Sequence, residues 1–348
     1  MGRKSQPVTL GEVAKAAGVS IATASRAING SSRRVSEDIE KRVRETADRL
    51  GYLPNLSAQA VAKGASSTIA VVVSDIADPY FSAITAGIMR GAREAGLVVT
   101  VAAAEHTPQN ELDIVRTFRG QRPRAIILSG SRTLGDPNQV LLDQQLEAYA
   151  ATGGRVVMIS QSPSPFDVVE LANREGAREL ARTLVQRGGE RFGVIAGPRK
   201  LATNHDRIEG FREGLSDSGM ALFEDATVEV PFNRDGGYEG MRTLLSRVPE
   251  VDTVFATSDV MAIGAMTAMR DLGKSPGKDV SIAGFDDIET VRDVTPRLTT
   301  VVVPLADMGY RAMRLAIEEP SEQKPVVLRV NTSVVVREST PVRTAARA

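Results

Sequence analysis

Along the first fifty residues the apolar positions recur with helical spacing. Leu10, Val13, Ala14 and Ala17 share one face of a first short helix. Thr9 stands at its N-cap with Glu12 three residues on, the spacing of a capping box. Gly18 ends that helix, and the turn Gly18-Val19-Ser20 leads into a second, Ile21–Asn29, with Ser20 as its N-cap and Gly30 where a C′ residue belongs. A polar, basic loop follows. Ser36 then caps a third helix that carries Glu37 and Asp38 in its first turn, favourable for the dipole, and Ile39, Val43, Ala47 and Leu50 on its apolar face. Tyr52-Leu53-Pro54-Asn55 breaks the pattern. The Ala-rich stretch Leu56–Lys63 has room for about two helical turns, too few to be stable alone.

From Thr68 the texture changes. Short β-branched runs at Ile69–Ser74, Val98–Ala102, Ala125–Ser129, Val156–Ser160, Phe192–Ala196, Thr227–Val230, Thr253–Thr257 and Ser281–Phe285 alternate with amphipathic stretches such as Phe81–Ala95 and Arg207–Ser218. Continuous apolar strands between helices predict parallel sheets covered on both faces. This part of the chain is long for one doubly wound sheet, so two lobes are expected. The pattern fades after Glu338, and Glu338–Ala348 reads as a frayed polar tail, with 341–348 flexible.

Composition narrows the chemistry. The 348 residues contain no cysteine and two histidines, which excludes thiolate chemistry and leaves no multi-His metal site. No apolar run approaches the ~18 residues that span a bilayer, and no apolar h-region follows Arg3 and Lys4. A cytoplasmic protein without membrane association, metal or other cofactor is expected. The net charge is zero, but residues 1–64 carry +5 and the remainder −5. A basic head on an acidic body points toward nucleic acid.

Helix, tight glycine turn, helix is also the arrangement that places a second helix in the major groove. On the wheel of Ile21–Asn29, Ala24, Ala27 and Ile28 face inward. Ala22, Arg26 and Asn29 lie opposite, with Ile21 and Ser25 on the flanks. Arg26 can fork onto guanine, and the small apolar groups can meet a thymine methyl. Thr9, Ser20, Thr23, Ser25, Ser36 and Tyr52 can donate to phosphates, and Arg33 and Arg34 add charge. The alternative is a small bundle with a solvated polar face. An enzyme is disfavoured: no strand is followed by Gly-x-Gly-x-x-Gly or a Walker Gly-Lys-Ser/Thr, and Gly-x-Ser-x-Gly is absent.

The run Val8–Gly30, with Val35-Ser36 and Gly51-Tyr52-x-Pro54-Asn55, resembles the head of the lactose/galactose repressor (LacI/GalR) family. The resemblance continues through Asp78-Pro79-Tyr80-Phe81, Ile126–Ser129, Arg207-x-x-Gly210-Phe211, Ser258-Asp259-x-Met261-Ala262, Gly284-Phe285-Asp286-Asp287 and Pro296-x-Leu298-Thr299-Thr300. It implies a helix-turn-helix head (1–54), a hinge helix and linker (55–66) and a bilobal α/β body like that of periplasmic binding proteins (67–340). Lobe one would take about 67–170 plus 302–324, and lobe two about 171–301 plus 325–340. It also implies a homodimeric regulator, a repressor or else an activator, that binds palindromic operator DNA under control of a small-molecule effector such as a sugar.

By this resemblance Ile21, Ala22 and Arg26 read bases, Asn55 lies at the exit toward the hinge, and Val61 occupies the place of the leucine that wedges the operator's central step. Valine, shorter and stiff at χ1, would make a shallower wedge. The effector is expected beyond the carboxyl ends of the strands, at Ser74, Tyr80, Phe81, Ser129, Thr203, His205, Phe232, Ser258 and Asp286. Sugar-responding relatives often carry Arg and Asn where this chain has His205 and Ser258, and Asp-Arg in place of Ser160-Gln161. A cleft short of polyol-binding groups is therefore expected, with a smaller or less hydroxylated effector, or none.

Overall fold

The computed structural model describes residues 8–29, 35–53, 66–161, 163–319 and 325–343. The chain divides into two compact units, 1–66 and 67–348.

The described residues of the first unit form three helices, α1 (Leu10–Ala17), α2 (Ile21–Asn29) and α3 (Glu37–Leu50). The capping box forms: the Glu12 backbone N–H donates to Thr9 Oγ1 at 3.3 Å, and the Thr9 N–H donates to the Glu12 carboxylate at 2.7 Å. Gly18 adopts the left-handed conformation, φ 64°, needed to turn the chain toward α2. Ser20 Oγ accepts from the Thr23 N–H at 3.1 Å, so the cap expected for α2 is made. Ser36 sits at the N-cap of α3 but makes no side-chain capping bond; the acidic residues of the first turn are left to favour that helix end. Val13, Ala14, Ala17, Ala24, Ala27, Val43 and Ala47 are buried together, with Tyr52 packed against them. The cluster is built mostly of alanine, so the three helices approach closely. Gly30, Arg33, Arg34, Asn55, Val61 and the expected hinge helix lie outside the described residues.

The second unit is two α/β lobes. The first sheet has the order β11-β5-β4-β3-β1-β2, where β1 is Thr68–Val73, β2 Val98–Ala103, β3 Ala125–Ser129, β4 Arg155–Ser160, β5 Asp167–Leu171 and β11 Val327–Val330. The second has the order β12-β10-β9-β8-β6-β7, where β6 is Phe192–Ala196, β7 Thr227–Glu229, β8 Thr253–Ala256, β9 Ser281–Asp286, β10 Thr299–Val302 and β12 Ser333–Val335. Every pairing is parallel except β10 with β12. The first lobe carries α4 (Pro79–Glu94), α5 (Pro108–Gln121), α6 (Pro137–Ala150) and α11 (Leu305–Ile317). The second carries α7 (Asn173–Gln186), α8 (Ala202–Asp217), α9 (Arg234–Arg247) and α10 (Asp259–Asp271). The eight expected strands are present. Strands β5, β10, β11 and β12 are additional to those the pattern predicts.

The chain passes between the sheets three times, after β5, after β10 and after β11. The third passage corrects the expected division. Val327–Val330 pairs with β5 in lobe one, so the return to lobe two falls between Val330 and Ser333 rather than at 325. The tail is also corrected. Ser339 and Thr340 are buried, Ser339 Oγ donates to the Ile282 carbonyl at 2.6 Å, and the Arg343 N–H donates to the Arg187 carbonyl at 2.8 Å. Short polar side chains here replace apolar ones as the packing groups, which is why no hydrophobic period announced them.

Helix pairs cover the sheets at close range. A Cβ on Gly87 of α4 would lie 2.0 Å from the Ala306 carbonyl oxygen, and one on Gly309 of α11 would lie 2.0 Å from that of Ile84. Neither glycine admits a side chain without separating the helices.

Candidate functional site

The unit at the start of the chain presents one outward-facing helix surface. On α2, Ala24 and Ala27 are buried, whereas Ile21, Ala22 and Arg26 are exposed. Ile21 is 60% exposed, an unusual position for a large aliphatic group in a protein with ample core. Ser25 is half-buried and accepts from Asn29 Nδ2 at 3.2 Å, which holds both side chains on the flank of that surface. Thr23 shares a 2.8 Å hydrogen bond with Ser20. The structure thus brings together Ser20, Ile21, Ala22, Thr23, Ser25, Arg26 and Asn29 on one short helix. An exposed guanidinium between small apolar groups suits base edges in a major groove.

The second site is a cleft between the two lobes, containing about 970 Å³ of space including its open mouth. Its walls come from the carboxyl ends of strands in both sheets, as an open α/β fold dictates. Six of the expected residues line it: Ser74, Tyr80, Phe81, Thr203, Phe232 and Asp286. Tyr80 and Phe81 open α4 and meet edge to face, ring centres 5.0 Å apart. Asp78 caps that helix, accepting from the Tyr80 N–H at 2.9 Å, and burial raises its carboxyl pKa. The Tyr80 hydroxyl is held neutral by burial and by the nearby Asp286 carboxylate.

Three expected residues are not part of the lining. Ser129 is buried with no partner for its hydroxyl among the described residues; the chain turns at Gly130, and Gly130 and Ser131 line the cleft instead. Ser258 is buried as the N-cap of α10, its Oγ accepting from the Met261 N–H at 3.4 Å. His205 is exposed. On α8, Thr203 and Arg207 stand four residues apart on the cleft face, which turns His205 away.

Arg207 corrects the expectation of a cleft poor in polar groups. Its side chain is 1% exposed and held from every side: Nε donates to Asn173 Oδ1 at 2.8 Å, Nη1 to the Thr257 carbonyl at 2.6 Å and Nη2 to Asp286 Oδ1 at 2.8 Å. The guanidinium lies 3.7 Å above the centre of the Phe285 ring. Three of its five N–H groups are used. Asp286 has backbone φ 118°, a conformation that costs energy for any residue bearing a Cβ, and its second carboxylate oxygen has no partner among the described residues. Burial pushes its pKa up to about 7 against the pull of Arg207. The adjacent Asp287 is tied to Arg337 and Arg292 at 2.6 and 2.7 Å, so the two consecutive carboxylates have separate partners.

Asn173, Ser160, Gln161 and Glu111 also line the cleft. In the sequence Ser160-Gln161 are legible as a strand end, and Arg207 only as part of Arg207-x-x-Gly210-Phe211. An arginine in mid-helix carries the signature of a surface charge until its partners are seen. Among the described residues no cluster of His, Asp or Glu could hold a metal ion, and no helix is long and apolar enough to cross a membrane.

A helix-turn-helix unit and a two-lobed cleft have a known counterpart. The profile of bacterial regulatory proteins of the lacI family matches residues 9–55, and that of the periplasmic binding protein-like domain matches residues 181–340. The HTH-type transcriptional regulator CelR of Thermobifida fusca is 32% identical over 346 residues, covering 97% of this chain and 100% of the relative. The chain belongs to the LacI family. It is a DNA-binding transcriptional regulator with an effector-binding-type body. Solved LacI-family structures match it over nearly their whole length. A transcriptional regulator CelR–cellobiose complex superposes with a TM-score of 0.71 at 31% identity, covering 95% of this chain and 99% of that one. A lac repressor dimer bound to operator and the anti-inducer ONPF superposes with a TM-score of 0.81 at 25% identity, covering 97% and 100%.

Proposed function

We propose that this LacI-family protein is a repressor that binds a palindromic operator as a homodimer and responds to a sugar-like effector in the cleft. The exposed triad Ile21, Ala22 and Arg26 carries the DNA part of the reading, with Arg26 forked onto a guanine and the apolar pair against thymine methyls. Thr9, Ser20, Thr23, Ser25, Asn29, Arg34, Ser36, Tyr52 and Asn55 fix the register through phosphates. Residues 55–66 form the hinge, and Val61 wedges the operator centre less deeply than a leucine would. The protein acts in the cytoplasm, where its operator is, and regulates rather than catalyses.

The effector reading rests on the Arg207–Asp286 pair. It presents unused guanidinium donors and a free carboxylate oxygen beside the aromatic walls of Tyr80, Phe81 and Phe232. Rings that bear hydroxyls on their edges and C–H groups on their faces match such a site. The CelR–cellobiose complex supports this class. Effector and operator must then change each other's affinity by the same factor.

The deciding experiment selects bound duplexes from a random DNA pool with the full chain at stated salt, then screens mono- and disaccharides, cellobiose included, for operator release. A two-fold symmetric site that an Asp286→Asn variant still binds, but no longer releases with the sugar, is the expected result. Failure to enrich any sequence, with and without sugars, would overturn the reading.

A further inference from the structure

The two lobes are also joined directly, by two segments in the wall of the cleft. Residues 131–134 follow β3 of lobe one, and residues 200–203 lead into α8 of lobe two. Thr133 and Leu201 form an antiparallel bridge. The Leu134 N–H donates to the Lys200 carbonyl at 2.7 Å, and the Ala202 N–H donates to the Arg132 carbonyl at 2.9 Å. Side chains extend the contact: the Thr203 N–H donates to Ser131 Oγ at 3.0 Å, and Gln161 Nε2 donates to Thr203 Oγ1 at 2.8 Å. Gln161 Oε1 in turn accepts from the Arg132 N–H at 3.3 Å.

The first N–H groups of a helix have no partner inside it. Leu201, at the N-cap of α8, makes no side-chain capping bond. The N–H groups of Ala202 and Thr203 are satisfied from lobe one instead. We infer that segments 131–134 and 200–203 form a latch, in which lobe one caps a helix of lobe two, and that this latch gates access to the cleft. Ser131, Thr133, Gln161, Leu201 and Thr203 all line the cleft, so the latch is part of its wall. Opening it exposes helix-end donors to water and breaks four inter-lobe hydrogen bonds at once, which makes closure cooperative. Any occupant enters during an opening and is enclosed when the latch re-forms.

The meaning for regulation rests on reading the cleft as the effector site, but the test uses no effector. Ala104 lines the cleft and is 5% exposed. In a chain without cysteine, Ala104→Cys gives a single thiol whose labelling by a maleimide reports opening. In the full-length protein labelling should be slow. Adding Ser131→Ala and Gln161→Ala removes the two side-chain links and should speed it about tenfold to thirtyfold. Separately, Thr133→Cys with Leu201→Cys should form an intramolecular disulfide in the ligand-free protein under mild oxidant. Equal labelling with and without the latch side chains, at the rate of a thiol in unfolded chain, would overturn the latch. So would failure of the two cysteines to pair in a protein whose circular dichroism is native. Operator selection with the unmodified protein tests the regulatory reading independently.

Discussion

The two units place their functional groups in opposite surroundings. The first turns Arg26 outward from a small alanine core, where water solvates it until a partner arrives. The second buries Arg207 and Asp286, 1% and 5% exposed, and holds the guanidinium by three hydrogen bonds and the Phe285 ring face. An outward charge costs the fold little and is available for a macromolecule. An inward pair is tied to the fold itself, because either partner alone would be a desolvated charge. Substitutions at the reading helix should therefore separate binding from stability, whereas substitutions in the cleft should mix them.

The sharpest break of that contrast is Arg207→Met, which leaves Asp286 buried without its cation. It should cost about 3–5 kcal/mol of stability, read as a drop in the denaturant midpoint. Gly309→Ala, which presses a methyl onto the Ile84 carbonyl, should cost about 1–3 kcal/mol by the same measurement while removing no cleft side chain. Arg26→Ala should leave the midpoint unchanged and cost about 1–3 kcal/mol of discrimination between the selected operator and a one-base mismatch, read by competition binding. Thr9→Ala removes the capping box of α1 and should weaken the head by about 1 kcal/mol, read as faster amide exchange over residues 10–17.

The contrast also shows in pH. The folded state raises the Asp286 carboxyl to about 7 from an ordinary 3.8, so it binds the proton more tightly than the unfolded chain does. The stabilisation this gives is present below about pH 4 and is lost as pH rises through about 7. Asp286→Asn keeps an acceptor for Arg207 but cannot titrate, so its Tm should fall less than the parent's between about pH 5 and 8. Identical slopes would place the titrating group elsewhere.

The head was legible from one dimension because a helix wheel fixes which residues point together. Ile21, Ala22 and Arg26 are exposed and Ala24 and Ala27 buried, as the periodicity required. The cleft was legible only in part. The strand-end rule finds the right neighbourhood but not the direction of each side chain. It leads to the cleft wall at Ser74 and Asp286 but not at Ser129, which is buried, or at Ser258, whose hydroxyl caps α10. Arg207 escaped because its partners Asn173, Thr257 and Asp286 are 34, 50 and 79 residues distant. The edge strands β11 and β12 escaped because their four and three residues are too few to show alternation.

The threading of the chain between the lobes has a consequence for synthesis. Lobe two is drawn almost entirely from one uninterrupted stretch, α7 to β10, and awaits only β12 and the packed tail at its edge. Lobe one begins first yet needs α11 against α4, with Gly309 against Ile84, and β11 beside β5. As the ribosome delivers the chain, the earlier lobe must wait, its sheet open at one edge and one face covered only in part by α4, while the later lobe is made and folds. The half that starts folding first is thus the last to be finished, and its exposed strands are where a holding chaperone would find the nascent protein.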